Sequence, residues 1–151
     1  MKITKRGEYA LRALLALALV YDQRTLSLRE LSEKERLPVK FLEQIMMVLK
    51  RAGLVESVKG KHGGYSLSRP PAAITLGQVI RTADGPLSPI ATAEEIQKRI
   101  RLNERHVGLY CALLDVRNAI SEILDKKTLA DVCAKSLELA REKSSRPMYY
   151  I

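Results

Sequence analysis

Apolar positions recur with helical spacing through the first third of the chain. Residues 5–21 are rich in Ala and Leu and apolar on most faces, which predicts a buried helix. Ser27 is followed three residues later by Glu30, the sequence pattern of a capping box, so a short helix is predicted over residues 27–36. The fold is therefore expected to begin with two helices.

A third helix is predicted over residues 38–52, because Pro38 suits a first helical turn and Gly53 suits a helix end. Its apolar face, with residues three and four positions apart, consists of Leu42, Ile45 and Leu49. Its outer flanks carry Lys40, Glu43, Gln44, Met47, Lys50 and Arg51. This helix is therefore predicted to present polar and cationic side chains outward.

The segment after Gly53 predicts a β-hairpin. Two runs of strand-type residues, 54–59 and 65–68, flank a basic, glycine-rich tip at residues 60–64. A helix, a helix-turn-helix pair and then such a hairpin follow the plan of a winged helix-turn-helix domain. The expected fold class is mostly α with a small β-hairpin wing (α+β).

The second half of the chain is predicted to be helical after a break. Residues 75–83 begin a helix, residues 85–89 form a Pro-rich linker, and the highly charged residues 94–105 are expected to be mobile or weakly helical. Apolar residues at alternating four- and three-residue spacing then predict a long dimerisation helix; they are Leu109, Leu113, Val116, Ile120 and Ile123. A final helix is predicted to start at Thr128.

These patterns divide the chain into four regions. A winged helix-turn-helix domain is expected at residues 1–84, and a linker with an effector-type loop at 85–106. Dimerisation helices are expected at 107–143, followed by a tail at 144–151.

The charge distribution favours a polyanionic partner. The 151-residue chain has a net charge of +9, and residues 1–69 hold 14 Lys and Arg against 7 Asp and Glu. Such a basic head suits nucleic acid or an anionic membrane surface, although a merely solvated surface is the alternative. The apolar run at residues 13–20 is too short to span a bilayer and lacks a cleavage site, so no membrane association is expected.

The chain offers little for catalysis or for redox chemistry. Its two cysteines, Cys111 and Cys133, form no CxxC pair and fit a reducing, cytoplasmic location. No nucleophile–base pair, paired carboxylate or phosphate-cradling loop is recognisable, so no enzymatic activity is expected.

The third helix and the hairpin supply the candidate DNA contacts. The second helix of a helix-turn-helix enters the major groove, where Glu43 can accept from a cytosine amino group and Gln44 can pair with adenine. The candidate DNA-binding residues are Arg29, Lys40, Phe41, Glu43, Gln44, Lys50, Lys59, Lys61, His62, Gly63 and Gly64. The alternatives are that Glu43 and Gln44 are solvated helix surface and that the glycines only relieve turn strain.

Five short motifs in order resemble the Rrf2 type of bacterial winged-helix transcription regulators. They are KRGEYAL at residues 5–11, FLEQI at 41–45, AGLV at 52–55, GGYSL at 63–67 and ITL at 74–76. The resemblance implies a homodimer whose long helices cross and whose heads read an inverted repeat in double-stranded DNA. It also implies base reading by Glu43 and Gln44 and a wing contact by Lys59, where the family often has Arg.

The cysteine content separates branches of this family. Members that bind an iron–sulfur cluster carry three cysteines before the dimer helix, whereas this chain has only Cys111 there. Iron–sulfur centres are normally held by four ligands, mostly Cys, so no metal and no cofactor are expected. The alternative is an unusual iron–sulfur cluster that uses Glu8, His106 and Cys111 across a dimer.

The linker and the tail are similar to those of the family's cysteine-metabolism repressors. The linker sequence is GPLSPI at residues 85–90, and the tail residues Tyr149, Tyr150 and Ile151 end the sequence. The resemblance implies that this tail docks into cysteine synthase, because a free carboxylate beside an apolar side chain can imitate an amino-acid substrate. The alternative is a tail that packs on the dimer helix or frays.

These observations together predict a metal-free, dimeric repressor that governs cysteine metabolism. A redox or iron–sulfur sensor with non-standard ligands is the alternative in the same DNA-binding class. From a different class, a basic interaction module or membrane-surface adaptor would use the hairpin only structurally.

Overall fold

The computed structural model describes residues 3–87, 91–103 and 105–145. Helices dominate it, and one antiparallel hairpin accompanies them. In chain order the elements are α1 (Lys5–Ala18), α2 (Leu28–Glu35), α3 (Val39–Arg51), β1 (Val55–Val58), β2 (Gly64–Leu67), a 3₁₀ turn (Pro71–Ala73), α4 (Leu76–Asp84), α5 (Ala93–Arg101), α6 (Val107–Lys126) and α7 (Leu129–Ser145). The prediction of a mostly helical fold with a small hairpin is confirmed.

Helix α1 forms the centre of the hydrophobic core, as its composition predicted. It packs against α2, α3, α4, α7 and the hairpin. Its buried positions are Gly7, Ala10, Ala13, Leu14, Ala16 and Leu17. Small alanine side chains let the neighbouring helices approach closely, while Leu14 and Leu17 fill the remaining volume.

The end of α1 differs from the prediction, which extended it to residue 21. The backbone N–H of Val20 bonds to the carbonyl of Leu17, three residues back, at 3.2 Å, and Asp22 then adopts a left-handed φ of 59°. Because these tighter turns replace the i to i−4 bonds, the α-helix ends at Ala18 despite the apolar residues that follow.

The capping box predicted at the start of α2 is present. Glu30 N–H donates to Ser27 Oγ at 3.1 Å, and Ser27 N–H donates back to Glu30 Oε2 at 2.7 Å. That backbone hydrogen bond, together with the Arg24 guanidinium 2.8 Å away, lowers the pKa of Glu30 to about 2. The first helix of the helix-turn-helix therefore starts at a fixed point.

The expectation of a mobile or weakly helical stretch at residues 94–105 was wrong. Helix α5 occupies most of it, begins with a capping box between Thr92 and Glu95, and packs along α6. Ile96 is only 1% exposed, and Arg99 donates to the hydroxyl of Tyr110 on α6 at 3.2 Å. Because charged residues surround Ile96, the sequence contained no sign of the apolar face with which α5 packs on α6.

The corner between α6 and α7 is built into the winged-helix core. Leu76 N–H donates to the carbonyl of Lys127 at 2.8 Å, and Leu129 N–H donates to the carbonyl of Ile74 at 3.0 Å. Leu129 is fully buried in the same apolar cluster as Leu14 of α1. The C-terminal helices are therefore anchored to the head at this corner.

Helix α6 itself leaves much of its apolar surface uncovered. It spans 20 residues, and none of its side chains is fully buried. Of the predicted seam, Leu113 and Ile120 are half-buried, whereas Leu109, Val116 and Ile123 are exposed. Within the described residues, no helix has both the length and the hydrophobicity needed to cross a bilayer.

Two predicted features lie outside the described residues. They are part of the Pro-rich linker, at residues 88–90, and the tail with Tyr149, Tyr150 and Ile151.

Candidate nucleic-acid interface

The surface of α3 is exposed along one continuous stripe. The helix follows a tight turn in which Arg36 has a left-handed φ of 53° and Leu37 is buried. Pro38, predicted to lie in the first turn of α3, instead occupies the N-cap position just before it. The exposed stripe consists of Lys40, Glu43, Gln44, Met47, Lys50 and Arg51, all of which the sequence had placed on the outer flanks.

The opposite face of α3 holds the helix in the core. Leu42, Ile45 and Leu49 are buried as predicted, and Met46, which was not predicted, is buried with them. Because this apolar face is broad, α3 is fixed in rotation about its own axis. The stripe that carries Glu43 and Gln44 therefore points away from the protein.

The hairpin borders one flank of α3. Lys50 Nζ donates to Ser57 Oγ on β1 at 2.5 Å, which ties the end of α3 to the first strand. The backbone of Leu26 pairs with Tyr65 on β2 through bonds of 3.0 and 2.7 Å, so the segment before α2 is joined to the hairpin by an isolated β-bridge. The wing is thereby fixed to both helices of the helix-turn-helix.

Steric constraints explain the glycines at the wing tip. Gly64 has a φ of +153°, and a Cβ added there would lie 2.6 Å from the carbonyl oxygen of Leu26. A Cβ on Gly63 would collide with the carbonyl oxygen of Val58. The alternative that these glycines serve the turn is thus supported by geometry, and their contact with DNA stays a prediction.

The cations of the wing tip lie beside a cleft of about 570 Å³. Its lining consists of Gln23, Arg24, Thr25, Ser27, Glu30, Lys61, His62 and Gly63. Thr25 Oγ1 donates to the carbonyl of His62 at 3.0 Å, which brings the residues before α2 against the tip. The sequence did not single out Gln23, Arg24 or Thr25, because the pairing of Leu26 with Tyr65 that places them has no local signal.

The start of α1 borders the other flank of α3. A groove of about 230 Å³ separates the two helices and is lined by Arg6, Phe41, Gln44, Ile45, Met47, Val48 and Arg51. Phe41 is half-buried and packs edge-to-face against Tyr9, with ring centroids 5.6 Å apart. Its predicted DNA contact stays a prediction beside this clear packing role. Sequence reasoning did not single out Arg6, which lines this groove.

Two further predicted contacts have different surroundings. Arg29 bonds to Glu33 on its own helix at 2.9 Å, and this carboxylate raises the pKa of the guanidinium. Lys59 is exposed directly after β1, near the tip. Contact of Arg29 and Lys59 with DNA therefore stays a prediction.

Comparison with known proteins identifies the family. Residues 3–135 match the model of the Rrf2 family, which is described as an iron-dependent transcriptional regulator. The chain belongs to the Rrf2 family of transcriptional regulators. The recognition made from the five sequence motifs is thus confirmed, and so is the winged-helix fold class.

Two relatives match along most of their length. The transcriptional regulator CymR of Bacillus subtilis is 35% identical over 134 residues, which cover 89% of this chain and 91% of that protein. A regulator of Mycobacterium tuberculosis, Rv1287, is 32% identical over 142 residues, which cover 91% of this chain and 84% of its own.

Solved structures agree with these relatives. The structure of B. subtilis CymR, described as the global cysteine regulator, has a TM-score of 0.72 and 34% identity, and the match covers 89% of this chain and 98% of that one. IscR of T. potens has a TM-score of 0.68 and 32% identity, with coverage of 99% and 97%.

Within the described residues of one copy of the chain, the donor groups do not fit the iron named in the family description. Cys111 is exposed on α6, and burial raises the pKa of the Cys133 thiol on α7. Within the described part of the chain, no group of three or more His, Cys, Asp or Glu side chains lies close enough together to hold a metal. Glu8, one member of the unusual ligand set, pairs instead with Lys5 and Arg12.

Proposed function

We propose that this Rrf2-family regulator is a sequence-specific DNA-binding repressor that reads bases with α3. The observation that carries the proposal is the outward stripe of α3, on which Glu43 and Gln44 are exposed. No hydrogen bond or ion pair within the described residues engages either side chain. Carboxylate and amide groups are suited to cytosine and adenine edges in the major groove. The wing and the start of α1 border this stripe with cations that suit phosphate.

The proposal includes a dimer formed by α6. Leu109, Val116 and Ile123 lie seven residues apart and are 56%, 51% and 61% exposed, so a second copy of the same helix offers a matching apolar stripe. A twofold dimer places two identical winged heads side by side and therefore favours an inverted repeat, with half-sites about 34–36 Å apart.

Selection from random DNA tests the proposal. The full chain is incubated with a pool of random 30-base-pair duplexes, and the retained duplexes are sequenced. The affinity of the protein for these duplexes is then measured by fluorescence anisotropy at several salt concentrations. An enriched inverted repeat that binds more tightly than a scrambled duplex supports the proposal. No preference over random DNA at any salt concentration contradicts it and favours the adaptor alternative.

The genes under control are proposed to serve cysteine or sulfur metabolism. The support is the similarity to B. subtilis CymR, described as a global cysteine regulator, along nearly the whole of both chains. Deletion of the gene from its host should raise transcripts for cysteine uptake and synthesis. A transcript profile in which those genes do not change would contradict this assignment.

The regulator is further proposed to work without a bound metal. The support is the donor set, which holds two cysteines in the whole sequence and no metal-binding cluster in the part of the chain that the structure describes. Protein purified without oxygen should be colourless and free of iron. A visible absorption band with stoichiometric iron would instead establish the alternative of an iron–sulfur sensor with non-standard ligands.

A partnership with cysteine synthase is proposed for the tail on the basis of the sequence alone. A chain ending at Met148 should bind the selected operator duplex as the full chain does and should lose affinity for purified cysteine synthase in calorimetry. A matched control replaces Lys143 with Ala and leaves the tail intact. Unchanged binding of the enzyme after the deletion would contradict the proposal.

A further inference from the structure

The stripe on α3 has two distinct flanks. By helical periodicity, Glu43 and Lys50 share the flank that meets the wing, where Lys50 bonds to Ser57. Gln44 and Arg51 share the other flank, and Arg6 from the first turn of α1 lines the same groove. The surface proposed to read DNA therefore has a cationic border on the side away from the wing.

Charge pairing distinguishes Arg6 from the other cations of α1. Lys5 pairs with Glu8 at 3.2 Å, and Arg12 pairs with Glu8 at 3.7 Å and with Glu35 at 3.4 Å. Arg6 is exposed and has no carboxylate partner within the described residues. Its charge is available to an external anion.

Hydrogen bonds to Asp84, at the end of α4, hold the backbone of α1 around Arg6. Asp84 accepts hydrogen bonds from Thr4 N at 3.0 Å and from Thr4 Oγ1 at 2.5 Å. Thr4 Oγ1 in turn accepts from Gly7 N at 3.3 Å, so the same threonine caps α1. Gly7 lies directly against the Asp84 carboxylate, with no room for a Cβ. The first turn of α1 is therefore held in place on both sides of Arg6.

We propose that Arg6 and Arg51 together bind one backbone phosphate of DNA on the flank of α3 away from the wing, and that Thr4 and Asp84 hold Arg6 in position for it. This inference rests on the proposed function. The two guanidinium groups line one groove beside the Gln44 amide. Their planar sets of N–H donors suit hydrogen bonding to the oxygens of a phosphate. Arg6 would thus add a contact beyond those of α3 and the wing.

The test compares Arg6→Ala with Lys135→Ala, which removes one positive charge from α7, where Lys135 pairs with Glu138. Both full-length variants are titrated with the duplex enriched by the wild-type protein and with its scrambled counterpart, over a series of salt concentrations. Thermal melting, followed by circular dichroism, checks that both variants are folded.

The expected result is a smaller salt dependence for Arg6→Ala alone. The slope of log affinity against log salt should fall on both duplexes by up to about 0.9, the effect of one phosphate, because only Arg51 is left to neutralise that phosphate. An unchanged slope, equal to that of Lys135→Ala, would overturn the inference while leaving the proposed function standing. A loss of affinity for the enriched duplex alone would also overturn the inference, because Arg6 would then contact a base and not a phosphate. Failure of the wild type to enrich any sequence would overturn the proposed function itself.

A double-mutant cycle tests the positioning role of Asp84. Asp84→Asn should weaken binding to both duplexes in the wild-type background and should have no further effect once Arg6 is Ala. Additive losses in the double variant would show that Asp84 acts independently of Arg6 and would overturn the positioning role. Arg6→Lys should restore the salt slope, because one positive charge returns to the groove.

Discussion

Arg81 of α4 and Asp125 of α6 form a two-pronged ion pair, with N–O distances of 2.6 and 2.7 Å. It lies beside the backbone bond from Leu76 to Lys127, so a side-chain contact and a main-chain contact join the head to the long helix at the same corner. The pair therefore helps to fix the direction in which α6 leaves the winged domain.

Replacing Asp125 by Asn should destabilise this corner. We expect a loss of about 0.5–1 kcal/mol in the free energy of unfolding at neutral pH, because both side chains are more than a third exposed and solvent screens the pair. Arg81 lowers the pKa of Asp125, so its contribution is present at neutral pH and is lost as the pH falls through the lowered pKa. Urea denaturation at pH 7 and pH 3 measures both effects.

Glu122→Gln is the control for Asp125→Asn. Glu122 also pairs with a cation, Lys126, but both residues belong to α6 itself. This variant should leave the relative orientation of head and helix unchanged. An equal loss in the free energy of unfolding in both variants would contradict a special role for the corner.

Replacing Glu30 by Gln should make the stability of the head less sensitive to acid. In the wild type the capping bond and Arg24 hold the pKa of Glu30 at about 2, against an ordinary value of 4.5. The stabilisation is therefore complete above about pH 4.5 and is lost as the pH falls towards 2. Melting temperatures between pH 2 and pH 7 should converge for the two proteins at the acid end. Glu33→Gln, on the exposed side of the same helix, should change the profile less.

Replacing Gly64 by Ala should displace the wing. The new Cβ would press on the carbonyl of Leu26 and break the β-bridge between Leu26 and Tyr65. Gly60→Ala is the matched control, because Gly60 also has a positive φ, of 116°, but faces open space. We expect a lower melting temperature and weaker DNA binding for Gly64→Ala than for Gly60→Ala. Equal effects would mean that backbone strain alone explains both.

Replacing Gln44 by Ala should relax base preference at one position in each half-site. The loss of a paired amide should reduce discrimination there by about 1–3 kcal/mol. Lys61→Ala should instead weaken binding to all sequences alike, since a lysine at the wing tip is suited to phosphate. Affinities for a set of operator duplexes with single base changes measure the difference. A uniform loss for Gln44→Ala would contradict base reading.

Replacing Val116 by Glu should prevent dimer formation. Val116 is the middle residue of the exposed apolar stripe of α6, and a buried carboxylate there would lack a partner. Asn118→Glu places the same charge on the opposite face of the helix and serves as control. Sedimentation should give a mass near 16.9 kDa for Val116→Glu and twice that for the control. A dimeric Val116→Glu protein would contradict the proposed interface.

The sequence predicted best those features whose signal is local. The apolar face of α3 repeats every three or four residues, and the box of Ser27 and Glu30 spans one helical turn, so both were readable directly. The whole exposed stripe, including Glu43 and Gln44, follows from the same periodicity.

The errors and omissions arose where distant segments meet. Helix α5 depends on burial of Ile96, and its charged composition gave no such indication. Arg6 lines the groove beside α3, and its first helical turn is held by the bond between Thr4 and Asp84. Those two residues lie 80 positions apart in the chain. Such contacts have no period that a single sequence can reveal.

The burial of Leu129 means that the winged head is not a separable module. Leu129 belongs to α7, yet it is fully buried in the apolar cluster that surrounds α1. A fragment that ends at the linker would lack Leu129 and would contain a cavity the size of a leucine side chain. Such a cavity destabilises a protein by about 2–5 kcal/mol. Fusion designs that transplant this head onto another scaffold must therefore bring the α6–α7 corner with it.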